Sequence, residues 1–509
     1  MPLRRLLQQP LAGAGLLLSL LLTAELAAIL WLNNGHFLFT LDDPYIHLAL
    51  AENLLHGHYG VNLQEYSAPS SSILWPLLIA PLTLIGDGAL ALLALNSLLA
   101  LLSLQVADRL LDRLPQPPVA SQRFWLLAGF VLVANLAGLA YTGMEHNLQV
   151  LLAMLIVYGM VLVAQGKQPP ALLWSAIVLA PLVRYECLAL SGAALLFLFV
   201  QGHYRQSLLA GTLIAVLLGL FSLLLLSLGL DYLPDSVLTK SGVAASGLAK
   251  LQHNLQRNFL PPATLKAMAL LLALLLLAAA AINHRLPRPA RHGSAVLALA
   301  IVLQLLAGRI GWYFRYEIFL WAAVISWLLW LQAGRDTAKP VRALLWLMLA
   351  ISLLEHLAAA ITTPLASANV YHQQYQMQRF LRDYYRQPVA VNDLGLASYR
   401  NDQYVLDLWG LGSGEARRLR ASAGDPGWMD SLLHKHQVQL AMIYHHPVWF
   451  ASVPDNWIKL GELQHSGPKI TARFPVSFYT PCRQCVPALQ QQLAAFSATL
   501  PAQVRYTAQ

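Results

Sequence analysis

The stretch "ILWPLLIAPLTLI", residues 73–85, decides how the whole chain is oriented, because counting it as a membrane crossing inverts every segment that follows. Thirteen helical residues reach roughly 20 Å, short of a hydrocarbon core of about 30 Å. Charge decides in the same direction. If the stretch turns back, the basic loops holding Arg109, Arg113 and Arg123, then Lys167, Arg205, Arg285, Arg288 and Arg291, then Arg335, Lys339 and Arg342 all share the side of Arg4 and Arg5. If it crosses, all except Arg4 and Arg5 face outward, against the retention of Lys and Arg in cytoplasmic loops. The stretch therefore reads as a juxtamembrane or re-entrant helix, with the amino terminus cytoplasmic and the carboxyl terminus outside.

Composition sets the solvent. Of 509 residues, 57% are hydrophobic and 11% charged, and the mean hydropathy is +0.54, which excludes an ordinary soluble domain. A net charge of +9 orients loops in such a chain and is not a nucleic-acid footprint. Apolar runs at 11–32, 89–107, 124–141, 147–164, 207–230, 262–282, 293–308, 316–332 and 342–361 read as spans. The run 171–201, broken by "PLVRYE", reads as two more, giving about eleven. The first run is too long for a signal-peptide core and reads as a retained anchor.

From about residue 365 the composition turns polar and aromatic. "YHQQYQMQRFLRDYYR" has a helical pattern, and "PVAVND", "YVLDL", "QLAMIYH" and "PVSFYT" have the character of short strands. The expected architecture is an α-helical polytopic membrane protein, residues 1–364, carrying a small extracytoplasmic α/β domain, residues 365–509. Residues 33–88 form its first outer loop. In an oxidising compartment the CxxC pair Cys482 and Cys485 is expected to close a local disulfide, whereas Cys187, inside an apolar run, packs as a small hydrophobe.

With this orientation the unusual polar residues converge outside. In "FTLDDPYIHLALAENLLHGHYG", residues 39–60, Asp43 before Pro44 reads as a helix N-cap, with Gly57 ending the helix. Asp42, one residue earlier, has no such duty. An ionised carboxylate near lipid costs several kcal/mol, roughly, unless paired or solvated, so Asp42 is the candidate catalytic group. His47 could join a metal site or sit as an interfacial polar residue. Glu145, in "YTGMEHN", is a second acidic candidate, although a solvated helix terminus would tolerate it. Arg184 and Glu186 either neutralise one another at a tight turn or act at the site. Lys240 and Arg315 hold cations on separate outer loops, where lipid phosphate is the simplest partner. Tyr313 is a secondary candidate beside Arg315. Glu25, inside the first span, needs a partner in the bundle. A hard divalent cation, Mg²⁺ or Ca²⁺, could be gathered by Asp42 and Glu145, though no ligand spacing compels it.

These residues stand in a familiar order. "LDDPYIHLALAENLLHGHYGVNLQEYSAPSSSILWPLL" resembles the first outer loop of class C (GT-C) glycosyltransferases, integral membrane enzymes that use polyprenyl-phosphate sugars. The arabinofuranosyltransferase-like branch, typified by mycobacterial cell-wall enzymes, is the most similar in pattern. "TGMEHNL", "VRYECL", "LPDSVLTKSG" and "YFRYEIFL" are similar to its G-x-E, R-P-E, P-N-x-x-x-K and R-Y elements. "VAVNDLGLASYRNDQYVLDLWGLGSGEA" is similar to its outer carboxyl-terminal domain. Tyr185 stands where the pattern has proline, Asp235 where it has asparagine, and the serines around Pro69 are shifted.

The resemblance implies an enzyme of the bacterial inner membrane with a periplasmic carboxyl-terminal domain. Its donor would be a polyprenyl-phosphate sugar such as arabinofuranose, and its acceptor an extracytoplasmic glycan, lipopolysaccharide or glycoprotein. It implies Asp42 as base, Asp43 and Glu145 as acidic partners, and Lys240, Arg315 and Arg184 near the donor phosphate. The chemistry is coherent, since a polyprenyl phosphate leaves as a stable anion and needs no acid to protonate it, so one base suffices. A transporter or flippase of a lipid-linked saccharide is the competing expectation. It sits poorly with ionisable groups at the outer ends of spans and with the absence of a sequence repeat.

Overall fold

The computed structural model describes residues 8–240, 248–260, 263–313, 315–333 and 339–509. Among the described residues, seven helices are long and apolar enough to cross a membrane: Pro10–Leu32, Ala89–Leu111, His146–Ala164, Tyr204–Ser227, Thr264–Ile282, Arg288–Ala307 and one that begins at Lys339. The chain is a multi-pass membrane protein. Four further expected spans are apolar helices of at most 17 residues, Ala120–Val133, Ala171–Val183, Tyr185–Val200 and Ile318–Gln332. Leu208, Leu209, Leu220 and Leu223 lie exposed on one long helix, as befits a surface whose solvent is lipid. The deciding stretch folds as Leu74–Ile79 followed by a 3₁₀ turn at Ala80–Leu84.

The chain divides into two compact units. The first comprises Met1–Glu25, Leu93–Leu220 and Ala245–Ile361. Its helices approach closely where small residues face large ones. A side chain at Gly293 would fall 2.2 Å from the Trp327 ring, and Trp327 Nε1 donates to Ser294 Oγ at 3.0 Å. Gly159 receives Leu173 in the same way. Lipid offers no hydrophobic drive between helices, so such close packing and internal hydrogen bonds hold the bundle.

The second unit comprises Leu26–Leu92, Phe221–Ala244 and Thr362–Gln509. The first outer loop and the carboxyl-terminal segment thus belong to one body. A continuous helix, Lys339–His372, runs through the expected boundary at 364/365. A six-stranded mixed sheet forms the core of this unit, in the order β2-β1-β3-β5-β4-β6. Its strands are β1 Val389–Val391, β2 Val405–Asp407, β3 Ala441–Ile443, β4 Ile458–His465, β5 Val476–Thr480 and β6 Val504–Ala508. The first three run parallel and the rest antiparallel. Strands β1, β2, β3 and β5 fall on the four expected segments. Strands β4 and β6 were not anticipated: β4 is polar and kinked at Gly461, which has φ +156°, and β6 is an edge strand with little apolar patterning. Cys482 and Cys485 are disulfide-bonded, with Cα atoms 5.3 Å apart, and Cys187 is free and buried.

Candidate functional site

Asp42 lies in the second unit, at the start of helix Asp43–Leu55. The cap is displaced by one residue from the expected reading: Asp43 is the first helical residue and Asp42 the N-cap, with no side-chain capping bond to its own helix. The end is as expected, because Gly57 adopts φ +74° and the N–H of His58 reaches back to the Asn53 carbonyl at 3.0 Å.

Freed from capping, the Asp42 carboxylate turns to the carboxyl-terminal part of the same unit. Its Oδ2 accepts from Gly395 N at 2.6 Å and its Oδ1 from Leu396 N at 2.8 Å. Asp42 is buried, 7% exposed. Asp393 lies just beyond β1, close enough for its charge to act on Asp42. Its Oδ2 accepts from Gln374 Nε2 and from Tyr444 Oη, each at 2.8 Å. Burial, and then the Asp393 charge, raise the proton affinity of Asp42 well above the usual carboxylate range, while the two backbone N–H groups oppose the shift. Burial likewise raises Asp393. Paired carboxyls of this kind prefer to hold a proton.

Asp393, Gln374 and Tyr444 were not singled out from sequence. "VNDLGL" carried Asp393 in view, but nothing local marks it as a neighbour of Asp42, some 350 positions away. Gly395 follows from the geometry as well, since a Cβ there would stand 2.1 Å from the Asp42 carbonyl oxygen and 2.6 Å from its Oδ2. Gly395→Ala is expected to push the 395–398 turn off Asp42 and cost about 1–3 kcal/mol, seen as a lower denaturation midpoint in detergent.

Other predicted residues of this unit have structural partners. His47 is buried, with Nδ1 3.2 Å from Ser70 Oγ. Asp43 is half-buried. Asp235 is taken up by Arg417 Nε at 3.0 Å and Ala68 N at 3.3 Å. Lys240 ends helix Asp235–Lys240, and its side chain lies outside the described residues.

The first unit holds the other group. Glu145 is fully buried, at 0% exposure, which corrects the expectation of a solvated helix terminus. Its Oε1 meets Arg184 Nη1 at 2.6 Å. Arg184 also grips Glu186, through Nη2 at 2.9 Å and Nε at 3.2 Å, so one guanidinium bridges two carboxylates, and Arg184 and Glu186 do not form a closed local pair. Arg315 is buried, its Cζ 5.1 Å from the Tyr316 ring centroid. Tyr313 has a left-handed backbone, φ +54°. Glu25 is buried, but its Oε2 finds no hydrogen-bond partner among the described residues.

Among the described residues no three His, Cys, Asp or Glu side chains gather as a metal site. Asp42 accepts from the Gly395 and Leu396 N–H groups and Glu145 pairs with Arg184, and the two carboxylates belong to different units.

Residues 368–479 match the model of a domain of unknown function, DUF8728. No curated protein matches the chain. Among solved structures, the chain is similar to the apo oligosaccharyltransferase of Archaeoglobus fulgidus, with 12% identity and a TM-score of 0.43 over 97% of this chain and 76% of that one. The same figures hold for the archaeal oligosaccharyltransferase AglB of that organism in complex with an inhibitory peptide and a dolichol-phosphate. Its complex with Zn and sulfate aligns at 11% identity and a TM-score of 0.42, over 96% and 75% of the two chains.

Proposed function

We propose that this chain is a GT-C glycosyltransferase that moves a sugar from a polyprenyl-phosphate donor to a hydroxyl on an extracytoplasmic glycan, lipid or protein, with inversion at the anomeric carbon. Arabinofuranose is the first sugar to test. The observation that carries the reading is the buried Asp42 carboxylate, held in place by two backbone N–H groups and set against a second carboxyl, Asp393. A carboxylate with raised proton affinity is suited to take a proton near neutral pH.

The acceptor oxygen attacks the anomeric carbon as its proton passes to Asp42. The bond from that carbon to the phosphate oxygen breaks, and its electron pair leaves on the polyprenyl phosphate. Each Asp42 oxygen accepts one N–H and keeps capacity for a further donor, here the acceptor hydroxyl. Arg315 and Lys240 are assigned to the departing phosphate, and Glu145 and Glu186 hold Arg184 in place. The active face lies on the outer, periplasmic side of a bacterial inner membrane.

Purified protein in detergent is expected to transfer sugar from a polyprenyl-phosphate donor to a glycan acceptor, read by mass spectrometry of the product. No transfer in detergent, together with saccharide movement only in sealed vesicles, would replace the enzyme with a transporter.

A further inference from the structure

In the second unit two buried histidines stand together, each with one ring nitrogen left unmatched. His372 is the last residue of helix Lys339–His372, and His465 is the last residue of β4. Their ring centres lie 6.1 Å apart, with the planes 29° from parallel. Each residue is 7% exposed, and in each the Nδ1 atom is buried without a hydrogen-bond partner among the described residues. Neither, then, bonds the other. A carbonyl oxygen can only accept, so the 3.0 Å contact of His465 Nε2 with the Ala472 oxygen puts the ring proton on Nε2. Nδ1 of the neutral His465 ring is therefore a bare lone pair. Buried polar atoms are ordinarily matched, and two unmatched nitrogens in one place imply a partner common to both.

Other bonds fix the frame around the pair. Asn369, three residues before His372, donates through Nδ2 to the Pro468 carbonyl at 2.7 Å and accepts from Ile470 N and Thr471 N at 2.7 and 3.1 Å. Gln373 Nε2 donates to the Phe474 carbonyl at 2.6 Å. The turn after β4 is thus fastened to the helix end on either side of His372, which holds the two imidazoles at a set distance. A Cβ added at Gly467 would meet only His465 Nδ1, at 3.6 Å, so there is room beside that nitrogen.

This is the pattern of metal-bound histidine, whose second ring nitrogen commonly donates to a backbone carbonyl and so fixes the tautomer. Metal–nitrogen bonds of about 2.0–2.1 Å set two imidazoles on one ion roughly 5–6 Å apart between ring centres. The observed 6.1 Å needs little adjustment. The carbonyl end of a helix, where His372 sits, also favours a cation.

We propose that His372 and His465 bind one borderline divalent cation of the zinc type through their Nδ1 atoms, as a clamp between the helix end and the sheet. Among the described residues no third His, Cys, Asp or Glu joins them, so water completes the shell. Imidazole ligands without a carboxylate select Zn²⁺ over Mg²⁺ and Ca²⁺, which take oxygen. Lys469, close enough for its charge to act on His465, opposes any cation, so the site is weaker than one with four protein ligands. The clamp is distinct from Asp42 and its reacting atoms. Two residues beyond His372, however, Gln374 Nε2 donates to Asp393 Oδ2 at 2.8 Å, and an ion on His372 steadies that contact.

The test uses the untagged full chain in detergent, stripped with a chelator and titrated with Zn²⁺. Wild type is expected to retain about one Zn²⁺ per chain through gel filtration and to gain thermal stability from it. H372Q and H465Q should each weaken Zn²⁺ binding about tenfold or more, whereas H56Q, at an exposed histidine, leaves it unchanged. Unchanged binding in both H372Q and H465Q, or an equal loss in H56Q, overturns the proposal and assigns the ion to surface histidines. Displacement of Zn²⁺ by an equal concentration of Mg²⁺ overturns the choice of metal. No Zn²⁺ retained by wild type overturns the site and leaves water as the partner of both nitrogens. Should the two variants not fold, zinc X-ray absorption on wild type decides: two imidazoles in the first shell are expected, and fewer than two refutes the site. Sugar transfer plays no part in these readouts, so failure of the site and failure of the transferase reading are told apart.

Discussion

Asp42→Asn is expected to abolish sugar transfer, by about 10²- to 10⁴-fold, the usual worth of a positioned proton acceptor. The substitution keeps an acceptor oxygen for one of the two backbone N–H groups of Gly395 and Leu396, so the protein should remain monodisperse in detergent with a stability loss of about 1–3 kcal/mol from the N–H left unmatched. Asp42→Ala is a different experiment, because it leaves both buried N–H groups without their acceptor and costs about 1–3 kcal/mol for each. Full transfer activity in a well-folded Asp42→Asn protein would leave Asp42 as a tie between the first outer loop and the 395–398 turn, and nothing more.

The pH profile carries the same assignment. Burial first, and the Asp393 charge second, raise the proton affinity of Asp42. A base must be unprotonated to act, so transfer should increase with pH through that raised value, above the range of an ordinary carboxylate. Asp393→Asn removes one of the raising influences, and the acid limb should move to lower pH. An acid limb that stays in place would separate Asp393 from the proton acceptor.

Arg184→Gln is expected to have the largest effect on stability. It removes the cation between Glu145 and Glu186, with Glu145 fully buried. Breaking a buried ion pair from one side costs about 3–5 kcal/mol, because the remaining charge is neither hydrated nor matched. The denaturation midpoint should fall accordingly, and adding Glu145→Gln to Arg184→Gln should restore part of the loss. Additive losses in the double variant would show that the two side chains do not depend on each other.

Much of this molecule was legible in local pattern. Apolar runs marked the helices because length and hydropathy are properties of a contiguous segment. Alternating or β-branched stretches marked β1, β2, β3 and β5, while β4 and β6 escaped because their pairing, rather than their composition, makes them strands. The Asp-Pro pair placed the helix start at Pro44 with Asp43 as its cap, one position late, since Asp42 is the cap residue and its side chain answers to distant backbone donors and not to its own helix.

The sequence by itself determined that the chain lives in a membrane, carries a separate sheet near its carboxyl end, sets Asp42 where charge is costly, and places Glu145, Arg184 and Arg315 at the outer ends of spans. Only the tertiary structure decided what those charges meet: Asp42 meets Gly395, Leu396 and Asp393, Arg184 meets two glutamates, and Arg309 and Arg315 gather with Arg184 around Tyr316. Hydropathy and periodicity are sums over neighbours in the chain. The partner of a buried charge is chosen by packing among segments hundreds of residues apart, and no local pattern records it.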